Sequence, residues 1–83
     1  MKTVLKDIKD EVNRAKKLHP GEFHNAHEGY AVLLEEVREL ENAVFFGKKK
    51  CGGNPILHQQ MMREEAIQIA AMAVRFANEL CTT

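Results

Sequence analysis

Apolar residues recur at helical spacing in three stretches of the chain, and glycine and proline separate these stretches. The first stretch runs from about Thr3 to Leu18, before a break at Pro20 and Gly21. Its apolar positions follow the 3.6-residue period and are Val4, Leu5, Ile8, Val12 and Ala15. The pattern predicts an amphipathic helix that packs one stripe against another element.

The second stretch carries the signals of both ends of a helix. Asn25 is the predicted N-cap, and Glu28 lies three residues later, as in a capping box. A core stripe with spacings of three and four follows, formed by Tyr30, Leu33, Val37, Leu40 and Val44. Gly47 is the predicted terminator of this helix.

The third stretch predicts a helix from Asn54, the N-cap, and Pro55 to about Leu80. One face combines apolar residues with a single carboxylate: Met61, Glu65, Ile69, Met72 and Phe76. A second face is a stripe of alanines at positions 66, 70, 73 and 77, and Ile67 and Val74 form a third face. Because this helix is apolar over most of its circumference, we expect it to be central.

The two other helices of an 83-residue chain scarcely cover such a central helix. We therefore expect one all-α domain over residues 1–83 whose alanine stripe packs against a second copy. A homodimer, or a higher homo-oligomer, would then build a four-helix-bundle-type core.

The composition excludes several classes of protein. Twelve basic residues balance twelve acidic ones, which argues against nucleic acid polymers or anionic membranes as partners held by bulk charge. The two cysteines flank the third helix, roughly 39 Å apart at about 1.5 Å per residue, too far for a disulfide. Two such thiols, with no signal peptide and no long apolar run, predict a cytoplasmic protein.

The charges are unevenly distributed. Residues 21–46 carry six glutamates against one arginine, and the lysines Lys48, Lys49 and Lys50 follow. Glu36 and Glu39 are one helical turn apart, and Glu35 lies beside them. Glu65 lies on an apolar face of the third helix, with Gln68 one turn further on. Facing oxygen pairs on antiparallel helices would suit Mg²⁺ or Mn²⁺.

Simpler interpretations of these carboxylates stay open at this point. Glu35 and Glu41 fit an ordinary solvated helix face. Glu65 can be neutralised by an ion pair with Arg38 or Arg75 instead of a metal. A separation of more than about 8 Å among Glu36, Glu39 and Glu65 would favour the solvated face, because a hard cation holds its ligands at about 2–2.6 Å.

Two segments carry a resemblance to a known family. Glu35-Glu36-Val-Arg-Glu39, then a loop, then Glu64-Glu65-Ala-Ile-Gln68, resembles the MazG-like all-α nucleoside triphosphate pyrophosphohydrolases. That family's signature is Glu-Glu-x-x-Glu on one helix and Glu-x-x-Asp on the next. Residues 27–36 and 68–75 are similar to the small phage and bacterial members. The likeness covers about residues 24–80, and Gln68 stands where the family has Asp.

The resemblance implies a dimeric helical bundle that binds Mg²⁺ and cleaves a nucleoside triphosphate into a monophosphate and pyrophosphate. It implies Glu36, Glu39 and Glu65 as metal ligands, with Gln68 in the fourth ligand position. Glu35 would support these ligands or orient water, so Glu35 and Glu36 are the predicted catalytic pair. Candidate cations for the substrate phosphates are Lys48, Lys49, Lys50 and Arg75, although the lysines equally fit a solubilising loop.

Other residues suggest weaker hypotheses. His19, His24 and His27 cluster near the second helix, and with Cys51 and His58 they are the only candidates for zinc ligands. A turn lined by histidines is the simpler interpretation. Tyr30 and Phe76 can contact a base, but both lie at core spacing.

The sequence thus predicts a nucleoside triphosphate pyrophosphohydrolase as the leading function. The first alternative is a non-catalytic nucleotide-binding or regulatory module on the same scaffold. The second is a helical dimerisation protein whose acidic face is solvated.

Overall fold

The three predicted helices are present in the computed structural model, which describes residues 2–82. They are α1 (Lys2–Leu18), α2 (Ala26–Lys50) and α3 (Pro55–Leu80), and the described residues contain no strand. The all-α class is therefore confirmed, as are the predicted bounds of α1 and α3 to within one residue. No helix in residues 2–82 is both long and apolar enough to cross a lipid bilayer.

Asparagine side chains cap the N-termini of α2 and α3, as predicted. The Asn25 side chain accepts a hydrogen bond from the Glu28 amide at 2.9 Å, and the Asn54 side chain accepts from the Ile56 and Leu57 amides. The Glu28 carboxylate accepts from the His24 amide at 3.2 Å, one residue before the cap. These bonds satisfy amides that have no partner within the helix.

Gly47 does not end α2, so that prediction is wrong. It is buried inside the helix, where a Cβ would lie 2.8 Å from the Met61 sulfur. Its missing side chain serves the close approach of α3 rather than a change of direction. The helix ends three residues later, where Gly52 and Gly53 take positive φ angles of 62° and 79°. Their amides bond to the Lys49 and Lys48 carbonyls and close the turn.

Both α1 and α2 pack on α3, which is central as expected. The small core contains Ala15 of α1, Ala43 of α2, and Ala71 and Met72 of α3. On α2 the residues facing α3 are Gly29, Glu36, Ala43 and Gly47, one position before the predicted stripe. Tyr30, Val37 and Val44 of that stripe are exposed, so the predicted core register of α2 is wrong for the single chain.

These exposed residues belong to a larger apolar surface. Tyr30, Val37 and Val44 on α2 and Ala66, Ala73 and Ala77 on α3 are exposed, and we call these six residues the open face. Helical spacing places them on the side of the α2–α3 pair away from α1. The homodimer and its four-helix-bundle core stay predictions, and the open face is the surface they would use.

Candidate metal site

Helices α2 and α3 bring three of the predicted carboxylates together. Glu36 and Glu39 lie one turn apart on α2, and Glu65 faces them from α3. One oxygen from each residue lies within 4.8 Å of the other two, and we call these residues the carboxylate cluster. The separation is well under the 8 Å that would have favoured a solvated face.

Two oxygens of the carboxylate cluster are buried without a partner. Glu36 Oε2 and Glu65 Oε2 are inaccessible to solvent, and neither has a hydrogen-bond partner among residues 3–82. Leaving such a group unsatisfied costs about 1–3 kcal/mol or more. Two orphaned acceptors at one point therefore indicate that the cluster is completed by a proton or a cation.

No ion pair neutralises the carboxylate cluster. Within residues 3–82, no lysine or arginine forms a salt bridge with any of its three members. Arg38 is exposed, and Arg75 pairs with Glu79 at 2.9 Å. The alternative that Arg38 or Arg75 neutralises Glu65 is therefore wrong.

The surroundings of the cluster favour protonated carboxyl groups when no cation is bound. Burial, as the largest cause, and the nearby Glu39, Glu65 and Glu35 carboxylates together raise the pKa of Glu36 to about 7. Burial and the neighbouring Glu39 also raise the pKa of Glu65. Desolvation and like charge both disfavour the ionised form.

These residues fit a divalent cation. Hard cations prefer carboxylate oxygens at about 2.0–2.6 Å, so ligands on opposite sides of one ion lie about 4–5 Å apart. The 4.8 Å limit within the cluster agrees with that span. A cation would also give the two buried oxygens the partner that they lack. Carboxylate ligands suit Mg²⁺ and Mn²⁺ better than softer metals.

The other two predicted residues of the acidic motif lie beside the carboxylate cluster. Glu35 is exposed, and its charge contributes to the raised pKa of Glu36. Gln68 lies with Glu36 in the wall of a cavity of about 480 Å³ between α1 and the α2–α3 pair. It is the larger of the two cavities that the carboxylate cluster borders, and we call it the large cavity. Gln68 can therefore present its amide to the same space as Glu36.

Of the three predicted lysines, Lys50 shares a cavity with residues of the carboxylate cluster. It lines a second cavity of about 250 Å³ together with Glu39, Glu65 and Met61, which we call the small cavity. Lys48 and Lys49 are exposed at the end of α2, and helical spacing turns them to other faces. The carboxylate cluster thus lies between two cavities, with a lysine in the smaller one.

Arg75 has a set of partners that the sequence did not indicate. It is 5% exposed, and it donates to Glu79 and to the Gly21 carbonyl while its guanidinium lies 4.7 Å from the centre of the Phe23 ring. Glu79 also accepts from the Phe23 amide at 2.9 Å. Burial alone would raise the pKa of Glu79, but these hydrogen bonds outweigh it and lower the pKa. We call this set the arginine clasp.

The sequence suggested Arg75 as an ion-pair partner of Glu65 or as a cation for the substrate phosphates, and it did not predict the buried pair with Glu79. Their i, i+4 spacing on a mostly apolar helix was the one sequence signal for a buried pair. The pair ties the turn between α1 and α2 to α3, and this turn forms one wall of the large cavity.

The histidines do not form a zinc site in residues 2–82. The carboxylate cluster is the one group of three potential ligands found there. Instead, the His58 Nε2 atom lies 2.7 Å from the Ala43 carbonyl oxygen, at a part-buried contact between α3 and α2. His19 lines the large cavity, and His24 and His27 are exposed near the start of α2.

The raised pKa of Glu36 predicts how metal-free stability changes with pH. The folded pKa of about 7 lies above the ordinary value of 4.5, so the folded state holds more protons between these values. Stability should therefore fall as the pH rises from about 5 to about 8. The measurement is the melting temperature in EDTA across this range. Glu36→Gln should flatten the profile, and an unchanged slope in that variant would contradict the assignment.

Comparison with protein-family models, with curated proteins and with solved structures finds no match for this chain. The resemblance to the MazG-like family therefore depends on the residues quoted above.

Proposed function

We propose that this chain is a Mg²⁺- or Mn²⁺-dependent nucleoside triphosphate pyrophosphohydrolase. It would convert a ribo- or deoxyribonucleoside triphosphate into the monophosphate and pyrophosphate. The observation that carries the proposal is the carboxylate cluster, with its two buried oxygens that have no protein partner. The acidic motif on α2 and the order of the helices support the same reaction.

The ligands in this proposal are Glu36, Glu39 and Glu65, with the Gln68 amide oxygen as a fourth. A bound divalent cation supplies charge neutralisation at the phosphates and acidifies water. Glu36 and Glu39 have a fixed spacing on α2, and Glu65 faces them from α3. The three carboxylates are therefore close together before a cation binds. This pre-organisation reduces the ordering that binding would otherwise require.

Glu35 is the candidate base. Its carboxylate is exposed beside Glu36, where it can accept a proton from the attacking water. The water oxygen forms a bond to the α-phosphorus, and the bond from that phosphorus to the bridging oxygen breaks. Pyrophosphate leaves with the bridging oxygen. In this proposal Lys50 in the small cavity neutralises part of the leaving charge. Lys48 and Lys49, on other faces of α2, would contribute less.

A nucleotide-binding module without catalysis is the second candidate, and Gln68 is the observation that favours it. An amide oxygen can bind a hard cation but adds no charge, so metal affinity falls relative to a site with aspartate. The scaffold could then bind nucleotide and couple that binding to assembly.

Pyrophosphate release from a panel of common and modified nucleoside triphosphates separates these candidates. With Mg²⁺ present, we expect release from at least one nucleotide and no release in EDTA. Nucleoside diphosphates serve as the matched control, since their cleavage would yield phosphate rather than pyrophosphate. Nucleotide binding without any release would replace the enzyme by the regulatory module.

We further propose that two copies pair through the open face. Tyr30 is 61% exposed and Val37 is 41% exposed, although both lie on an apolar stripe. The alanines of α3 beside them allow close backbone approach. A second copy would bury these residues and complete a four-helix core, which would add to the stability of a small domain.

The open face gives a direct test of assembly. Light scattering should report twice the chain mass for the wild type, or a higher even multiple. Ala73→Glu should shift the protein to monomers, because it buries an unpaired charge at the interface. Asn13→Glu, an equally exposed change on α1, is the matched control. A monomeric wild type at about 100 µM would refute the pairing, since the interface is proposed to be permanent.

The remaining parts of the proposal concern location and partners. Cys51 and Cys81 are both free thiols, which fits the reducing cytoplasm. The balanced net charge fits a small-molecule substrate rather than a nucleic acid polymer or a membrane surface.

A further inference from the structure

The large cavity has the size and the lining of a site for a small organic group. Its volume of about 480 Å³ lies within the range of small-molecule sites. Apolar side chains from all three helices and from the turn after α1 line it: Ala15, Leu18, Phe23, Val32 and Met72. Charged residues of both signs surround this apolar surface, and Glu36 of the carboxylate cluster belongs to its wall.

The position of the carboxylate cluster between the two cavities suggests how a bound nucleotide would be oriented. Glu36 and Gln68 border the large cavity, whereas Glu39, Glu65 and Lys50 border the small cavity. Phosphates held at the carboxylate cluster and directed toward Lys50 leave the large cavity to the nucleoside. This placement rests on the proposed function.

The two arginines of the large cavity are already engaged. Arg14 donates to Glu11 at 2.9 Å, and Arg75 donates to Glu79 and to the Gly21 carbonyl. These guanidinium groups therefore have fewer hydrogen bonds left for a ligand.

Hydrogen-bond acceptors remain at the same cavity. Glu22 has no hydrogen-bond partner in residues 3–82, and Glu28 uses one oxygen to accept from the His24 amide, which leaves its second oxygen. An ionised carboxylate accepts hydrogen bonds and donates none. A ligand that presents N–H groups thus matches this cavity, and a ligand that presents carbonyl oxygens meets like charge.

We propose that the large cavity binds the nucleobase and selects bases that carry an exocyclic amino group, with Glu22 and Glu28 as the specificity-determining residues. Cytosine and adenine present such a group on the edge where uracil and thymine present a carbonyl oxygen. Glu22 and Glu28 are exposed in the free chain, so a bound base would cover their carboxylates, and a carbonyl base would then leave a covered acceptor facing another acceptor.

The test compares two nucleotides whose bases differ at C4, where cytosine has an amino group and uracil a carbonyl, and at the adjacent N3, which accepts in cytosine and donates in uracil. The probes are the α,β-imido analogues of dCTP and dUTP, whose binding is measured by calorimetry with Mg²⁺ at pH 7.5. We expect the cytosine analogue to bind about tenfold more tightly, corresponding to about one charge-assisted hydrogen bond. The double variant Glu22→Ala/Glu28→Ala should reduce this ratio to near one.

Two further variants keep the result interpretable. Glu22→Ala alone changes only the turn and should lower the ratio even if the double variant folds poorly. Glu41→Ala changes an exposed residue of α2 outside the cavity and should preserve the ratio. Equal binding of both analogues by the wild type, binding of neither, or an unchanged ratio in the double variant would overturn the inference. A preserved cytosine preference without pyrophosphate release from dCTP would refute the proposed reaction alone.

Discussion

Glu36→Ala is expected to lower pyrophosphate release about a hundredfold or more, and to abolish the Mg²⁺-dependent rise in melting temperature. Glu36 supplies one of the two buried, unpartnered oxygens of the carboxylate cluster. Its loss removes a ligand charge at the point where phosphate charge must be neutralised, a contribution of several kcal/mol, and each 1.36 kcal/mol corresponds to tenfold in rate. Initial rates with excess Mg²⁺ and melting curves with and without Mg²⁺ measure both effects.

The isosteric variant Glu36→Gln distinguishes the loss of a metal ligand from a general loss of folding stability. Glu36→Gln removes the negative charge but keeps the shape, so it should raise the melting temperature in EDTA at pH 8 while it removes the response to Mg²⁺. Two effects of opposite sign from one substitution are hard to obtain from general destabilisation. Glu41→Gln, on an exposed face of the same helix, should change neither quantity. A Glu36→Ala protein that still responds to Mg²⁺ would remove Glu36 from the site.

Arg75→Ala is expected to lower the free energy of unfolding by about 3–5 kcal/mol, the usual cost of breaking a buried ion pair from one side. The Glu79 side chain is 4% exposed and would remain beside the Phe23 amide without its cation. The turn after α1 would also lose the Gly21 contact. Urea unfolding at pH 7 measures the change, which is a large share of the stability of a small domain.

A surface ion pair provides the matched control. Arg63 pairs with Asp7 at 2.8 Å, but their side chains are 44% and 36% exposed. Arg63→Ala should cost less than about 1 kcal/mol. Arg75→Met combined with Glu79→Leu should recover much of the lost stability, because no buried charge remains unpaired. Equal effects of Arg75→Ala and Arg63→Ala would show that the arginine clasp contributes no more than a surface pair.

The helices could be predicted because their signals are local. Asn25 and Asn54 cap α2 and α3 as the sequence indicates, since a cap depends on residues within one turn of itself. The prediction that Gly47 ends α2 failed because this glycine instead allows close packing against Met61 of α3. A glycine that ends a helix and a glycine that admits a neighbour look alike in the sequence.

The packing register of α2 could not be predicted for the same reason. Gly29, Ala43 and Gly47 are small, so they carry little hydrophobic signal, and the larger Tyr30, Val37 and Val44 dominate the apolar pattern. The pattern shows which residues avoid water, but it does not show which neighbour covers them. A second copy on the open face would reconcile the pattern with the packing.

The members of the carboxylate cluster could be predicted from the sequence because Glu65 is a single carboxylate on an otherwise apolar helix face. Its distance from Glu36 and Glu39 depends on the approach of α3 to α2 and could only be measured on the structure. The large cavity was not predictable, because its lining comes from the three helices and the turn at residues 19–25. The arginine clasp that fixes this turn joins residues more than fifty positions apart.

The central claim is that Glu36, Glu39 and Glu65 bind a divalent cation, and a Mn²⁺ titration followed by calorimetry and electron paramagnetic resonance at pH 8 tests it most directly. The structure predicts one Mn²⁺ per chain in the wild type, competition by Mg²⁺, and loss of binding in Glu65→Gln, which keeps the shape but removes the charge. Glu64→Gln, the exposed neighbour of Glu65, should bind Mn²⁺ like the wild type. A wild-type protein that binds no Mn²⁺, or a Glu65→Gln protein that binds it equally well, would contradict the claim.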